Sequence, residues 1–544
     1  MADSTTAAAY EDFQYENLAF RNTHPDWLGT VGRIFGMTPA RADACRVLEL
    51  GCGPGGNLVP LAELLPGSEF VGVDLSSTQI ARARTDAAAI GATNVRFEAM
   101  DILDVPDWGS FDYVICHGVF SWVPDDVRRR ILTIASEQLS PQGIAYVSYN
   151  TLPGWHARGM LRAILRRVVP EGPPQEMSRT ARTFLHILRT QTPERLPLGG
   201  WLRGELALLD QLSDRYLYFE YLVEENVPLY FDEFLQLATD AGLQHLGDAD
   251  VSSMLPSQLG EEGERFVDSI TSTQLEQEQL LDYLTIRLFR RTLLCRSDVA
   301  LDREIDHRVL ADGWIGSDLT APDDDEAAGD DSLGDEAHRT HLLDDTELTF
   351  TDADGLRISS DDPVSKTMLH LLALAGPAGM EVDRLTATMA RILDRADETD
   401  GADASEPSGT LTDEVTARAM RILVQGRLDA GRWQRPVTAV VPQRPTTTRL
   451  VRHQVAQGLT SVVTARQEHR SVDPLDRVLL AAMDGTRDVP ELARAVLDAR
   501  DEGTLALESA DGPVDDPQAL TRLITDRLRQ LAASGLVLDP ERIG

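Results

Sequence analysis

At 544 residues the chain exceeds one ordinary domain, and a prior of roughly one unit per 100–200 residues predicts about three. Its net charge of −37 argues against a nucleic-acid partner, because phosphate binding needs a basic footprint, and leaves solubility or a basic peptide partner as uses for the charge. No apolar run is long enough to span a bilayer, and the opening MADSTTAAAYEDFQYENLAF lacks the basic-then-apolar order of a signal peptide, so a cytoplasmic protein without membrane contact is expected.

In chain order, CRVLEL (Cys45 to Leu50) reads as a strand running into a glycine loop, and Asn57 to Leu65 as an amphipathic helix. A second strand, Glu69 to Leu75, ends on an acid, and a helix capped by Ser76 or Ser77 follows to Ile90. Further strands are expected at Asn94 to Asp101, Phe111 to Gly118 and Gly143 to Asn150, with a helix in DDVRRRILTIASEQL before the last of them. This βαβ series predicts a Rossmann-like α/β sheet. From Trp155 to Leu222 the pattern is purely helical and reads as an insertion; the sheet then resumes with a helix in PLYFDEFLQLATDAG and a strand at Leu243 to Asp248. One long helix within GERFVDSITSTQLEQEQLLDYLTIR and a strand at Leu288 to Arg296 complete seven strands.

The expected division is an N-terminal segment over the site (1–40), an α/β domain (41–300) with its helical insertion (155–222), an acidic linker (301–345) and a C-terminal region (346–544) of two winged-helix-like modules. The linker rests on the acidic stretch APDDDEAAGDDSLGDE, Ala321 to Glu336. Cys45, Cys52, Cys116 and Cys295 form no CxxC pair and His307, His338 and His341 have no metal spacing, so no metal is expected. Lys366 is the only lysine.

The glycine loop carries the chemistry. Gly51, Gly53 and Gly55 follow a strand and lead into a helix, the setting in which glycine lets a ligand approach the backbone. Gly51, Gly53 and Gly56 also fit the dinucleotide GxGxxG pattern, so the loop alone leaves two cofactor classes open. Acids tilt the choice toward S-adenosylmethionine, which is cationic and has no phosphate. Glu49 lies where methyltransferases commonly place an acid near the cofactor's methionine-side ammonium. Asp74 ends the second strand, suited to the ribose hydroxyls, though a nicotinamide enzyme would place an acid similarly. Asp101 and Ile102 follow the third, suited to the adenine; a helix cap is the competing role for Asp101. The cofactor-binding set expected is Glu49, Gly51, Cys52, Gly53, Gly55, Asn57, Asp74, Leu75, Asp101, Ile102 and His117.

These blocks, together with CHGVFSWVP (Cys116 to Pro124) and SYNTLPGW (Ser148 to Trp155), resemble class I methyltransferases that carry a methyltransferase regulatory region. That group includes the rickettsial outer-membrane-protein lysine methyltransferases. THPDWLGTVGRIFGMTP (Thr23 to Pro39) and Tyr216 to Cys295, the regulatory region, fit it too, and DPLDRVLLAAMDGTRD resembles the winged-helix end of the lysine enzymes. The resemblance implies an S-adenosylmethionine-dependent enzyme acting on protein lysine. One departure is that Phe219 precedes Glu220 where the family's block leads one to expect a histidine.

Methyl transfer is an in-line displacement at a sulfonium carbon, so positioning and exclusion of water carry most of the catalysis. Burial against aromatic faces would lower the pKa of an acceptor lysine; Tyr15, Phe120, Trp122, Tyr149 and Trp155 are candidate walls, with core or cofactor packing as their competing role. His117, at a strand end, is a cofactor contact, a base or a structural hydrogen-bonding group. The residues expected to act on the acceptor are therefore His117, Tyr149, Trp155 and Tyr15. His24 is expected to fix the N-terminal segment, and Asn150 to cap the next turn. The insertion would be a lid, a homodimer surface or plain packing. A small-molecule methyltransferase and a non-catalytic cofactor-binding scaffold are the competing functions.

Overall fold

The computed structural model describes residues 13, 17–193, 195, 198–320, 341–352, 355–394, 410–506, 508–509, 512–513 and 517–542. After helix α1 (Pro25–Ile34) the α/β series begins with β1 (Arg46–Leu50), α2 (Leu58–Leu64), β2 (Glu69–Asp74), α3 (Ser77–Ala89) and β3 (Val95–Ala99). It continues with β4 (Phe111–Cys116), α4 (Asp125–Gln138) and β5 (Leu139–Asn150). The seven strands lie in the order β3-β2-β1-β4-β5-β7-β6 once β6 (Leu243–Asp248) and β7 (Phe289–Arg296) are added, with β7 antiparallel to both of its neighbours. The order reverses between β1 and β4, so the carboxyl ends of these strands open a crevice, the place where such sheets hold ligands.

Local chemistry explains the boundaries. Ser76 caps α3 by accepting from the Gln79 amide at 3.2 Å. The long helix expected after β6 is instead two, α10 (Gly260–Ile270) and α11 (Gln274–Thr285), because Thr273 and Glu276 form a capping box that starts a new helix. Glu278 and Asp282, one turn apart on α11, clamp the buried Arg290 of β7 at 2.9 Å each, and the guanidinium lies 3.8 Å over the Phe231 ring. Removing one partner would leave an uncompensated buried charge, which ties the last strands to this helix.

Between β5 and β6, α5 (Gly154–Val168), α6 (Pro174–Gln191), α7 (Gly199–Gln211) and α8 (Asp214–Tyr221) form a helical unit with its own core; α9 (Phe231–Asp240) then returns to the sheet. Leu161, Leu165, Leu206 and Leu217 pack there, and Phe13 of the N-terminal segment joins them, edge-on to Tyr218.

The expected linker is corrected at its start. Residues 301–320 contain β8 (Trp314–Gly316), with Leu310, Trp314, Ile315 and Leu319 buried; their apolar side chains outweigh the acids around them. The acidic stretch itself, 321–336, lies outside the described residues, as does His338. Beyond it come β9 (Leu348–Thr351), β10 (Arg357–Ser360), α12 (Pro363–Ala375), β11 (Met380–Glu381), α13 (Val382–Ile392), α14 (Leu411–Leu423) and β12 (Asp429–Gly431). Strands β11 and β12 flank β8, and their helices share one continuous core with α1 and the sheet. Lys366 on α12 is fully buried, its Nζ donating to the carbonyl oxygens of His341, Asp344 and Thr346 at 2.9, 2.5 and 2.9 Å.

The last part is α15 (Arg449–Ala456), a hairpin of β13 (Ser461–Val463) and β14 (His469–Ser471), α16 (Pro474–Ala482), α17 (Val489–Asp501), the short pair β15 (Glu508–Ser509) and β16 (Gly512–Pro513), and α18 (Pro517–Ala533). It packs as a winged-helix-like C-terminal unit around Leu479, Leu492, Ile524 and Leu528. Among the described residues no helix is long and apolar enough to cross a membrane, and no group of three potential metal ligands occurs.

Candidate cofactor and active site

The glycine loop is pinned to the end of β2: the amides of Gly51 and Cys52 both donate to the Val73 carbonyl, at 2.8 and 2.9 Å. Gly51 has φ +78°, and a Cβ there would stand 2.3 Å from Val119 Cγ2, so both conformation and space require glycine. Asp74 is the keystone of this side. Its carboxylate accepts from the Gly53 amide and the Ser76 amide, at 2.9 Å each, which fixes the loop above β2. Asp101 accepts from the Leu103 amide at 3.0 Å, so the competing cap role is realised, while Ile102 is buried and Leu75 is 47 % exposed.

Glu49 lies under the other side of the loop. One carboxylate oxygen accepts from Asn57 Nδ2 at 3.0 Å; the other is buried and has no hydrogen-bond partner among the described residues. Burial, reinforced by Asp74 and opposed by the Asn57 hydrogen bond, pushes this carboxyl up to about 8. An orphaned acceptor beside a glycine loop fits an ammonium donor, which would satisfy it and restore its charge. Neither a phosphate nor another anion would do so. Cys52 has a buried thiol pushed well up by burial and lies against Gly72, an apolar filler beneath the loop.

Residues 17–24 cross above the loop. A Cβ on Gly56 would stand 2.2 Å from Asn17 Oδ1, and Asn57 Oδ1 accepts from Thr23 Oγ1 at 3.0 Å and the Phe20 amide at 3.3 Å. The Phe20 ring lies against His117, centroids 3.7 Å apart, and Tyr146 Oη is 2.8 Å from His117 Nδ1. Burial, helped by Arg291, drops the His117 pKa to about 3. Of the three roles raised for His117, the geometry shows packing against Phe20 and hydrogen bonding with Tyr146. His24 does anchor this segment: Nδ1 accepts from the Asp26 amide at 3.1 Å and the ring stacks on Trp433.

The other residues expected to act on the acceptor are placed differently. Tyr15 lies outside the described residues; Phe13, nearby, is in the insertion core. Tyr149 is a correction. It is fully buried on the sheet face packed by α4 and α9, stacked on Phe234 at 4.1 Å with its hydroxyl 3.3 Å from Thr292 Oγ1. The period of two along a strand sends Tyr146 and Ser148 to the His117 face and Tyr149 to the opposite one. Phe120 is buried on that opposite face as well. Trp155 is buried at the start of α5, edge-on to Trp122 at 6.0 Å and beside Tyr221. Asn150 caps no helix; its Nδ2 donates to Asn226 Oδ1 at 3.2 Å. Phe219, where a histidine was expected, packs with Phe13 and Tyr218 in the insertion core. Glu220 beside it is raised to about 7 by burial against the pull of Arg158 and Arg162.

Sequence reasoning missed Phe20, Asn17 and, from the far end of the chain, Gln467, whose Nε2 donates to the Asn57 carbonyl at 3.1 Å. The THP block hinted at the first two; nothing local announces the third.

A seven-stranded sheet with one reversed strand, a glycine loop after β1 and acids at the ends of β1 and β2 define an S-adenosylmethionine-dependent methyltransferase. Comparison with known proteins agrees along the chain. Residues 41–169 match the family described as Methyltransferase domain, 213–296 the Predicted methyltransferase regulatory domain and 443–536 the PKMT C-terminal winged helix domain. Protein RP028 of Rickettsia prowazekii (strain Madrid E) is 36% identical over 44% of this chain and 96% of its own. RP789 of the same organism is 28% identical over 97% of this chain and 93% of its own. The structure of PKMT2 from Rickettsia typhi in complex with AdoHcy superposes with a TM-score of 0.80 and 26% identity, covering 96% of this chain and 99% of that one. The chain belongs to this family of class I methyltransferases with a regulatory domain and a PKMT-type winged-helix end.

Proposed function

We propose that the protein transfers methyl groups to lysine side chains of a protein substrate. The observation that carries the reading is the end-to-end likeness to PKMT2, winged-helix domain included, since a small-molecule methyltransferase core has no need of that part. S-adenosylmethionine, bound at the glycine loop, supplies a methyl group on a positively charged sulfur that a neutral amine displaces in line. In this reading Glu49 holds the methionine-side ammonium through its unpartnered oxygen, and Asp74 holds the ribose hydroxyls. Asp101 and Ile102 border the adenine. Phe20 and His117 close the crevice to water, which favours the neutral amine over its ammonium. Trp122 and Trp155, at the base of the insertion, wall the acceptor side.

The test is a methyl-radiolabel assay on cell lysate lacking the enzyme's own activity, separated into protein and metabolite fractions. Labelled methyl-lysine in hydrolysed protein is the expected result; label confined to metabolites would defeat the lysine reading, and no label anywhere would favour a non-catalytic scaffold.

A further inference from the structure

Three separate stretches of chain converge on Asn57, which is 2 % exposed. Its amide nitrogen donates to Glu49 Oε1, its side-chain oxygen accepts from Thr23 and Phe20, and its backbone carbonyl accepts from Gln467 of the C-terminal domain. Gln467 lies in the turn between β13 and β14 with φ +61°, a left-handed conformation that a side chain other than glycine adopts at an energetic disadvantage. A strained residue whose side chain is buried in another domain invites a functional explanation, because a glycine would make the same turn without strain. The same hairpin grips the segment above the loop: the Ala19 amide donates to His469 Nε2 at 3.1 Å, and Arg21 pairs with Glu468 at 2.9 Å.

We propose that Gln467 is a positioning residue for the cofactor, so that the C-terminal hairpin completes the methionine end of the site by holding Asn57 and, through it, Glu49. In this role Gln467 acts through Asn57, whose carbonyl it holds, and not by contact with cofactor or acceptor. It fixes the carbonyl at the start of α2, so that the Asn57 side chain stays directed at Glu49 instead of rotating away with the loop. The winged-helix domain thereby contributes to catalysis without contacting the reacting atoms. The proposal rests on placing the methionine end at Glu49 and not on the lysine acceptor.

The experiment uses the full chain carrying Gln467→Gly, which keeps the turn and relieves its strain. Calorimetric titration with S-adenosylhomocysteine is expected to show about tenfold weaker binding, the size of one lost buried hydrogen bond. The KM for S-adenosylmethionine should rise in parallel while kcat at saturating cofactor and the melting temperature stay near their original values. An unchanged Kd in the glycine variant, or a fall in kcat at unchanged Kd, would overturn the proposal. Glu49→Gln separates the two layers: if that variant binds normally, the placement of the methionine end has failed, whereas weak binding there with normal binding in Gln467→Gly defeats the positioning role alone.

Discussion

With the methionine-side ammonium placed on Glu49 as proposed, the raised pKa of this carboxyl makes cofactor binding a proton-linked event. With its carboxyl pushed up to about 8 by burial, only about a tenth of the free protein carries the anion at pH 7, and recovering it costs about 1.4 kcal/mol. An ammonium placed against the unpartnered oxygen demands that anion, so binding should release nearly one proton between pH 6 and 7. Affinity for S-adenosylhomocysteine should then rise about tenfold per pH unit and flatten near pH 8, where an α-amino group of ordinary pKa ~7.7–8.0 begins to lose its own proton. Calorimetry in two buffers of different protonation enthalpy measures the released proton directly. Glu49→Gln should bind about 10- to 100-fold more weakly than the parent at pH 8, the loss of a charge-assisted hydrogen bond of ~1.5–3 kcal/mol, and the gap should narrow toward pH 6. The stability linkage has the matching sign. A carboxyl whose folded pKa is raised binds more protons folded than unfolded, so the free protein loses stability as pH climbs from the ordinary glutamate range toward about 8, and ligand-induced stabilisation is larger at pH 8 than at pH 6. A pH-independent affinity between 6 and 8, with identical heats in both buffers, would refute the reasoning.

Asp74→Ala removes the acceptor of the Gly53 and Ser76 amides together with the proposed ribose anchor; titration should show binding weakened about 10- to 100-fold, and unchanged affinity in a folded variant would displace the ribose from this residue. His117, held near 3, should remain neutral through the working range, so the rate profile has no histidine inflection between pH 6 and 7; Phe20→Ala, which uncovers the ring, should move its NMR-detected titration upward toward the ordinary ~6.5. Lys366→Met strips the donor from three carbonyls and should lower stability by about 3 kcal/mol in thermal or denaturant unfolding; a loss under about 1 kcal/mol would mean water replaces the ammonium there.

The cofactor half of the site was legible because its signals are local. A strand, three glycines and an acid at each strand end fall within a few residues of one another, and a backbone turn that only glycine can make leaves a mark in sequence. Seven strands and the helical insertion were legible for the same reason, periodicity being a property of short windows. What escaped was set by contacts across the chain. Tyr149 reads in sequence as an acceptor wall and packs instead in the core, because an apolar strand buried on both sides does not say which face meets the crevice. The start of the linker was misplaced because Trp314 and Ile315 become a strand only when β11 and β12 flank them, from 65 or more positions away. The break between α10 and α11 was readable from Thr273 and Glu276, and the apolar pattern across it obscured the cap. Gln467 meets Asn57 across 410 positions, and a glutamine in a polar turn carries no sign of its destination.

The buried position of Lys366 bears on what the enzyme can do to itself. Apart from the histidines, every other basic side chain in the sequence is arginine, so the folded surface is rich in guanidinium and carries no lysine amine. For an enzyme proposed to methylate lysine, that surface is inert toward its own chemistry: the catalyst does not compete with its substrate at high concentration, and methyl label on a folded preparation reports the acceptor protein alone. The same property leaves lysine-directed dyes and crosslinkers without an accessible lysine on the native chain, so that lysine crosslinking to an acceptor must start from the acceptor's side.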